Sequence, residues 1–205
     1  MSLLVVTSHP DPASLTAAVA AALAEGAREA GLDAGDIEIA DLTAEGFQPA
    51  FTAADRLAFH RKAPVPADVA AEQRRIDRAE ALALVFPVYW WSMPALLKGW
   101  IDRVFTGGWA FEESDGGITP LLRDRPVHVI GLAAADAGAF ARHGHTEAFD
   151  SQIRRGIFGY CGLRSVTTTL MHDSDTTPDA PARHLATARR LGRELAATLR
   201  TRTPA

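Results

Sequence analysis

The chain has 205 residues, 21 basic and 25 acidic, for a formal net charge of −4, and 47% of its residues are apolar. That length suits one α/β domain with a core that needs neither disulfides nor a structural metal. The slight acidic balance argues against a dedicated nucleic-acid binder, and a lone Cys161 excludes an intramolecular disulfide, fits a reducing compartment and reads as a small buried apolar residue.

Leu3–Thr7 is a short apolar run with no basic segment before it, so it reads as a buried parallel strand and not as a signal peptide. No run approaches the roughly 20 apolar residues of a membrane span, and a cytoplasmic protein is expected. His9-Pro10-Asp11-Pro12-Ala13 then breaks the pattern. Ser14 can cap a helix whose apolar stripe is Leu15, Val19, Ala22, Leu23 and Ala30, and Gly31 ends it. A second strand is predicted over 36–40. Residues 43–66 carry Gly46, Pro49, Pro64 and Pro66 and predict a long excursion with one short helix, followed by a helix over 67–79. Further on, strands are predicted over 80–86, 127–132 and 165–170, and helices over 94–105 and 146–160. A final amphipathic helix over 183–199 rests on Leu185, Ala188, Leu191, Leu195 and Leu199, and residues 201–205 are expected to fray. Five βα units in a row predict an α/β fold: a doubly wound, five-stranded parallel sheet with helices on both faces, in a single domain over 1–205.

Such sheets bind ligands outside the carboxyl ends of their strands. The loop after the first strand, Ser8 to Thr16, offers free N–H groups, a helix dipole and the side chains of His9, Ser14 and Thr16. It suits a phosphate, or else Ser14 is a plain N-cap. Neither G-x-G-x-x-G nor a Walker A lysine is present. The loop after the third strand, Pro87-Val88-Tyr89-Trp90-Trp91-Ser92-Met93-Pro94, carries three aromatic rings that can wall a planar ring system or serve packing alone. The loop after the fourth strand, Ala133-Ala134-Ala135-Asp136-Ala137-Gly138, can present backbone donors. The seven histidines and the carboxylates show no metal-ligand spacing.

The run from Phe86 through Trp90-Trp91 and Leu97-Lys98-Gly99-Trp100 to Phe105 closely resembles the flavodoxin-like NAD(P)H:quinone oxidoreductases. That family includes the DT-diaphorase type and bacterial quinone reductases, some of them ancillary subunits of potassium-efflux systems. His9–Thr16 matches the family's phosphate segment, and Gly156-Ile157-Phe158-Gly159-Tyr160-Cys161-Gly162 matches its penultimate helix end. The resemblance implies a flavodoxin-like fold and a flavin, FAD by the spacing of the first loop with FMN open, and NAD(P)H as co-substrate. It further implies a quinone or other planar acceptor, two-electron ping-pong hydride transfer and a homodimer. His9, Ser14, Leu15 and Thr16 would hold the phosphate end, and Pro87, Val88, Tyr89, Trp90 and Trp91 would meet the ribityl chain and isoalloxazine. Ala133, Ala134 and Ala135 would face the pyrimidine edge, while Trp109, Phe111 and Phe140 would line the substrate pocket. His143 would be the catalytic histidine, with His145 its competitor. Two features depart from the family pattern: alanines stand where it has a Thr/Gly-rich stretch, and Phe140 stands near its tyrosine. A flavodoxin-type electron carrier and a flavin-binding regulatory subunit of a potassium-efflux transporter are the alternative functions.

Overall fold

The computed structural model describes residues 1–202. In chain order its elements are β1 (Leu3–Thr7), α1 (Leu15–Glu29), β2 (Ile37–Asp41), α2 (Ala53–Phe59), α3 (Ala67–Arg78), β3 (Ala81–Pro87), α4 (Ala95–Val104), β4 (Phe111–Ser114), β5 (Gly117–Pro120), β6 (Val127–Leu132), α5 (Ala137–Arg142), α6 (His145–Asp150), β7 (Val166–Met171) and α7 (Ala180–Arg202). A π-helical stretch, Ser151–Gly159, continues α6. Five parallel strands stand in the order β2-β1-β3-β6-β7, the doubly wound order of the expected fold. The winding direction reverses between β1 and β3, so the switch point lies where Thr7 and Pro87 end their strands.

Period-two alternation divides the strands between two cores. Leu3, Val5, Ala81, Ala83, Val85 and Ile130 face α1 and α7. Leu4, Val6, Leu82, Leu84, Phe86 and Val129 face the opposite layer, with Ile76, Leu97, Trp100, Val104, Phe149 and Phe158. Of the expected stripes, Val19, Ala22 and Leu23 of α1 and Ala188, Leu191, Leu195 and Leu199 of α7 are buried, while Leu15, Leu185 and Ala30, the residue that caps α1, are half-buried against the same core. Gly31 does end α1, in the left-handed region at φ 93°. Its N–H reaches the Arg28 carbonyl and the Leu32 N–H reaches Ala27, the paired bonds of a Schellman stop. Where α1 crosses α7, a Cβ on Gly26 would collide with the Arg189 carbonyl, and one on Gly192 with the Leu23 carbonyl. The two backbones meet with no side chain between them.

The excursion after β2 is anchored by Arg103 of α4. Its guanidinium, almost fully buried, donates to Asp55 (3.0 Å), to Asp68 (2.7 Å) and to the Gln48 carbonyl (2.8 Å). Burial alone would raise the Asp55 pKa, but donors from Thr52 and Arg103 outweigh it and hold the carboxyl below its usual range. Nearby, the Trp100 indole N–H donates to Glu72 (2.8 Å), fixing the helix that follows the aromatic loop against α3.

Three local expectations need correction. Phe111 belongs to a β-hairpin, β4–β5, paired Phe111↔Pro120 to Ser114↔Gly117, where no strand was expected. A short helix, α5, follows the alanine stretch because Asp136 caps it, accepting the Ala139 N–H at 2.8 Å. Residues 201 and 202 are helical, not frayed, because α7 runs to Arg202; residues 203–205 lie outside the described part.

Candidate functional site

At the switch point the first loop is folded on itself. The His9 Nδ1 accepts the Asp11 N–H at 3.0 Å, the Asp11 carboxylate accepts the Ala13 N–H at 2.9 Å, and the Asp11 carbonyl accepts the Ser14 N–H at 3.2 Å. Ser14 caps α1 through the Ala17 N–H (3.2 Å), so its hydroxyl is engaged by the helix. The N–H groups of Leu15 and Thr16, in the first turn of α1, take no protein partner among the described residues. They point the helix dipole at whatever stands before them.

The second loop turns within four residues. Tyr89 and Ser92 exchange both backbone hydrogen bonds (3.0 and 3.1 Å). Trp90 and Trp91 between them lie at φ 49° and 63°, the signature of a type I′ turn. Side chains rarely adopt that backbone, and such strain gathers at functional sites. The turn leaves Trp90 93% exposed and Trp91 38% exposed. It is braced from the helices that follow β6: the Ser92 hydroxyl donates to Gln152 (2.7 Å), and the His145 ring lies on the Trp91 indole.

The third loop takes no left-handed residue at Ala133, Ala134 or Ala135, so alanine is compatible with it. Ala133 is tied to the end of β7 through the Met171 carbonyl (2.9 Å) and to the loop after it through the Ser174 N–H (3.0 Å). The N–H groups of Ala134 and Ala135, like those of Trp90 and Trp91, take no protein partner among the described residues.

Two adjoining cavities result. One, about 240 Å³, is lined by His9, Leu15, Thr16, Pro87, Val88, Tyr89, Leu132, Ala134, Ser174 and Asp175. The other, about 200 Å³, is lined by Val88, Trp90, Trp91, Ala133, Ala134, Ala135 and Phe140. They share Val88 and Ala134, and so form one trough from the start of α1 to the aromatic turn. Eleven of the expected cofactor residues line it; Ser14, the helix cap, does not. Phe140 is fully buried behind Trp91, with its ring edge-on at 5.1 Å.

Three expected residues lie elsewhere. His143 is exposed at the end of α5 and lines neither cavity, whereas His145 is the histidine that touches the aromatic turn. Trp109 borders a separate groove with Arg61, Lys62 and Gly107, and its indole N–H faces Asp77 at 3.2 Å. Phe111 is buried rather than exposed, between Phe59 and Tyr160. Sequence reasoning missed Gln152, Ser174 and Asp175. The last two follow β7, whose carboxyl end obeys the same rule as the other three loops. Among the described residues no cluster of His, Cys, Asp and Glu is placed to hold a metal, and no helix is long and apolar enough to cross a membrane. Cys161 is buried, as expected, and burial pushes its thiol pKa up to about 11.

A family model described as having a flavodoxin-like fold matches residues 1–195. A ribosyldihydronicotinamide dehydrogenase [quinone] of Mus musculus is 30% identical over 86% of this chain and 83% of its own. An uncharacterized NAD(P)H oxidoreductase of Haemophilus influenzae is 26% identical over 84% of each chain. Among solved structures, an NAD(P)H:quinone oxidoreductase from Methanothermobacter marburgensis superposes with a TM-score of 0.86 at 30% identity, covering 95% of this chain and 96% of that one.

Proposed function

The chain belongs to the family with the flavodoxin-like fold, and from that premise we propose that it is a flavin-dependent NAD(P)H:quinone oxidoreductase working as a homodimer in the cytoplasm. The observation that carries the reading is the single trough at the switch point, with a helix N-terminus at one end and an aromatic turn at the other. A flavin fits that trough in the chemistry of its donors. The free N–H groups of Leu15 and Thr16, with His9, would hold its phosphate, and Val88, Tyr89 and Trp91 would flank its ribityl chain and ring. Bound there, a flavin supplies two-electron chemistry between a reduced nicotinamide and a quinone.

The chain's own task is placement. The Val88 N–H is spent on the Leu132 carbonyl (2.8 Å), which fixes the floor of the trough. Phe140, fully buried, and Trp91 give one end of the trough an apolar wall. The N–H groups of Ala134 and Ala135 are preorganised donors for negative charge that develops at a ring edge. The exposed Trp90 leaves the outer face of the turn open to a planar molecule.

FAD is the first candidate cofactor and FMN the second. The test is reconstitution of the purified protein with each, gel filtration, and chromatography of the released flavin, followed by steady-state NADH and NADPH oxidation with a quinone. Retention of one flavin per chain and quinone-dependent turnover are expected. No retention of either flavin at micromolar concentration would refute the reading, and retention without turnover would point to an electron carrier.

A further inference from the structure

We propose that His145 is a positioning residue that holds Trp91, and with it the inner wall of the trough, by ring stacking and not by proton transfer. The His145 and Trp91 rings lie 3.8 Å apart and 15° from parallel, a face-to-face contact. Phe140, fully buried, stands edge-on to both, 5.1 Å from Trp91 and 6.0 Å from His145. It is itself held edge-on to His172 at 4.8 Å, and His172 Nδ1 lies 3.2 Å from the Ala135 carbonyl oxygen. Four rings thus tie the aromatic turn to the loop after β6.

The strain of the turn is what gives the stack a task. Trp91 sits at φ 63°, where a side-chain-bearing residue stays only if its surroundings determine it. Two groups of the segment after Gly144 do so. The Gln152 Oε1 accepts a hydrogen bond from the Ser92 hydroxyl at 2.7 Å, and His145 covers the indole. Gly144 enters α6 in the left-handed region at φ 67°, which sets His145 at the first position of α6, while Phe149, fully buried in the same helix, anchors that helix in the core. His143 is 5.7 Å from His145 and tilted by 38°, and it does not share the stack.

The consequence for turnover rests on the proposed function; the stack itself does not. The test uses protein labelled with ¹⁵N-tryptophan, which gives four indole N–H signals, with that of Trp91 assigned through Trp91→Phe. His145→Ala is expected to move the Trp91 signal and to lower kcat/KM for the quinone about tenfold, the scale of one aromatic pair. His145→Phe, which keeps a flat ring and carries no proton, is expected to return the signal towards its original position and to recover turnover to within about threefold. An unmoved Trp91 signal in His145→Ala overturns the clamp. A restored signal with turnover as poor as in His145→Ala overturns it in favour of proton transfer. The Trp100 indole signal, bonded to Glu72, reports folding of each variant, and His145→Gln replaces the alanine variant if that one unfolds. Should the unmodified protein bind neither flavin, the proposed function fails, and the indole shifts alone decide the clamp.

Discussion

Trp90 and Trp91 occupy the two central positions of a type I′ turn, which hairpins ordinarily give to Asn and Gly. Left-handed backbone costs a side-chain-bearing residue about 1–2 kcal/mol, and Trp90, 93% exposed, recovers nothing by packing. Trp90→Gly is therefore expected to stabilise the fold by about 0.5–1 kcal/mol while weakening flavin retention and quinone turnover. Urea denaturation beside a flavin titration checks both signs, and a less stable variant would show that the turn holds no strain. Asp55 is the opposite kind of residue, buried for stability. Asp55→Asn leaves Arg103 with Asp68 and the Gln48 carbonyl, so a loss of about 2–3 kcal/mol at pH 7 is expected, below the usual cost of breaking a buried pair. Because the folded pKa of Asp55 is depressed, its contribution is present above about pH 4, its ordinary range, and is lost as pH falls through the folded value. The gap between the two proteins should then close in acid. A constant gap down to about pH 2 would assign the loss to packing and not to the ion pair.

The α1–α7 crossing depends on two glycines that let backbone meet backbone, and Gly192→Ala places a methyl group against the Leu23 carbonyl. Backbone cannot rotate away as a side chain would, so a loss of about 2–4 kcal/mol is expected, with the helices forced apart. A drop in Tm of under about 2 °C would show that the crossing gives way easily. Neither glycine was legible as a contact, since a glycine in a helical pattern looks only like a weak helix position. What was legible followed from period and punctuation. The five apolar runs gave the strands to within one residue at each bound, and the stripes of α1 and α7 gave one core face. The β4–β5 hairpin was missed although Asp115-Gly116 separates two four-residue strands, because Glu112, Glu113 and Ser114 carry no apolar alternation. In the site, the loops at Thr16, Val88 and Ala134 were legible because strand ends fix them. His145 was not separable from His143, since two residues of sequence decide which ring meets Trp91, and the left-handed Gly144 between them turns the chain from α5 into α6.

At the scale of the molecule, the described residues hold a second aromatic cluster besides the switch-point trough. The second runs from Phe51 to Phe59 (6.5 Å), on to Phe111 (5.8 Å) and to Tyr160 (5.1 Å). Its two ends are 47% and 41% exposed, and Leu57 of α2, Ile118 of β5 and Leu121 are exposed as well. On the proposed homodimer, the exposed apolar side chains of the α2 and hairpin segments are the expected association surface, with a second copy of the chain as the partner. Trp109 follows the same logic. It lines no cavity of the switch point in its own chain, and it borders a groove beside the hairpin, so any role at a flavin would be exercised on the partner. Light scattering should give twice the 21.9 kDa chain mass. Tyr160→Glu together with Phe51→Glu should return it to one chain, because two carboxylates would replace apolar contacts and be desolvated in the interface. Trp109→Ala should leave the dimer assembled and lower quinone turnover more than flavin retention. A protein that is monomeric at micromolar concentration and fully active would remove both expectations, whereas a dimer unaffected by the double variant would place the interface on another face.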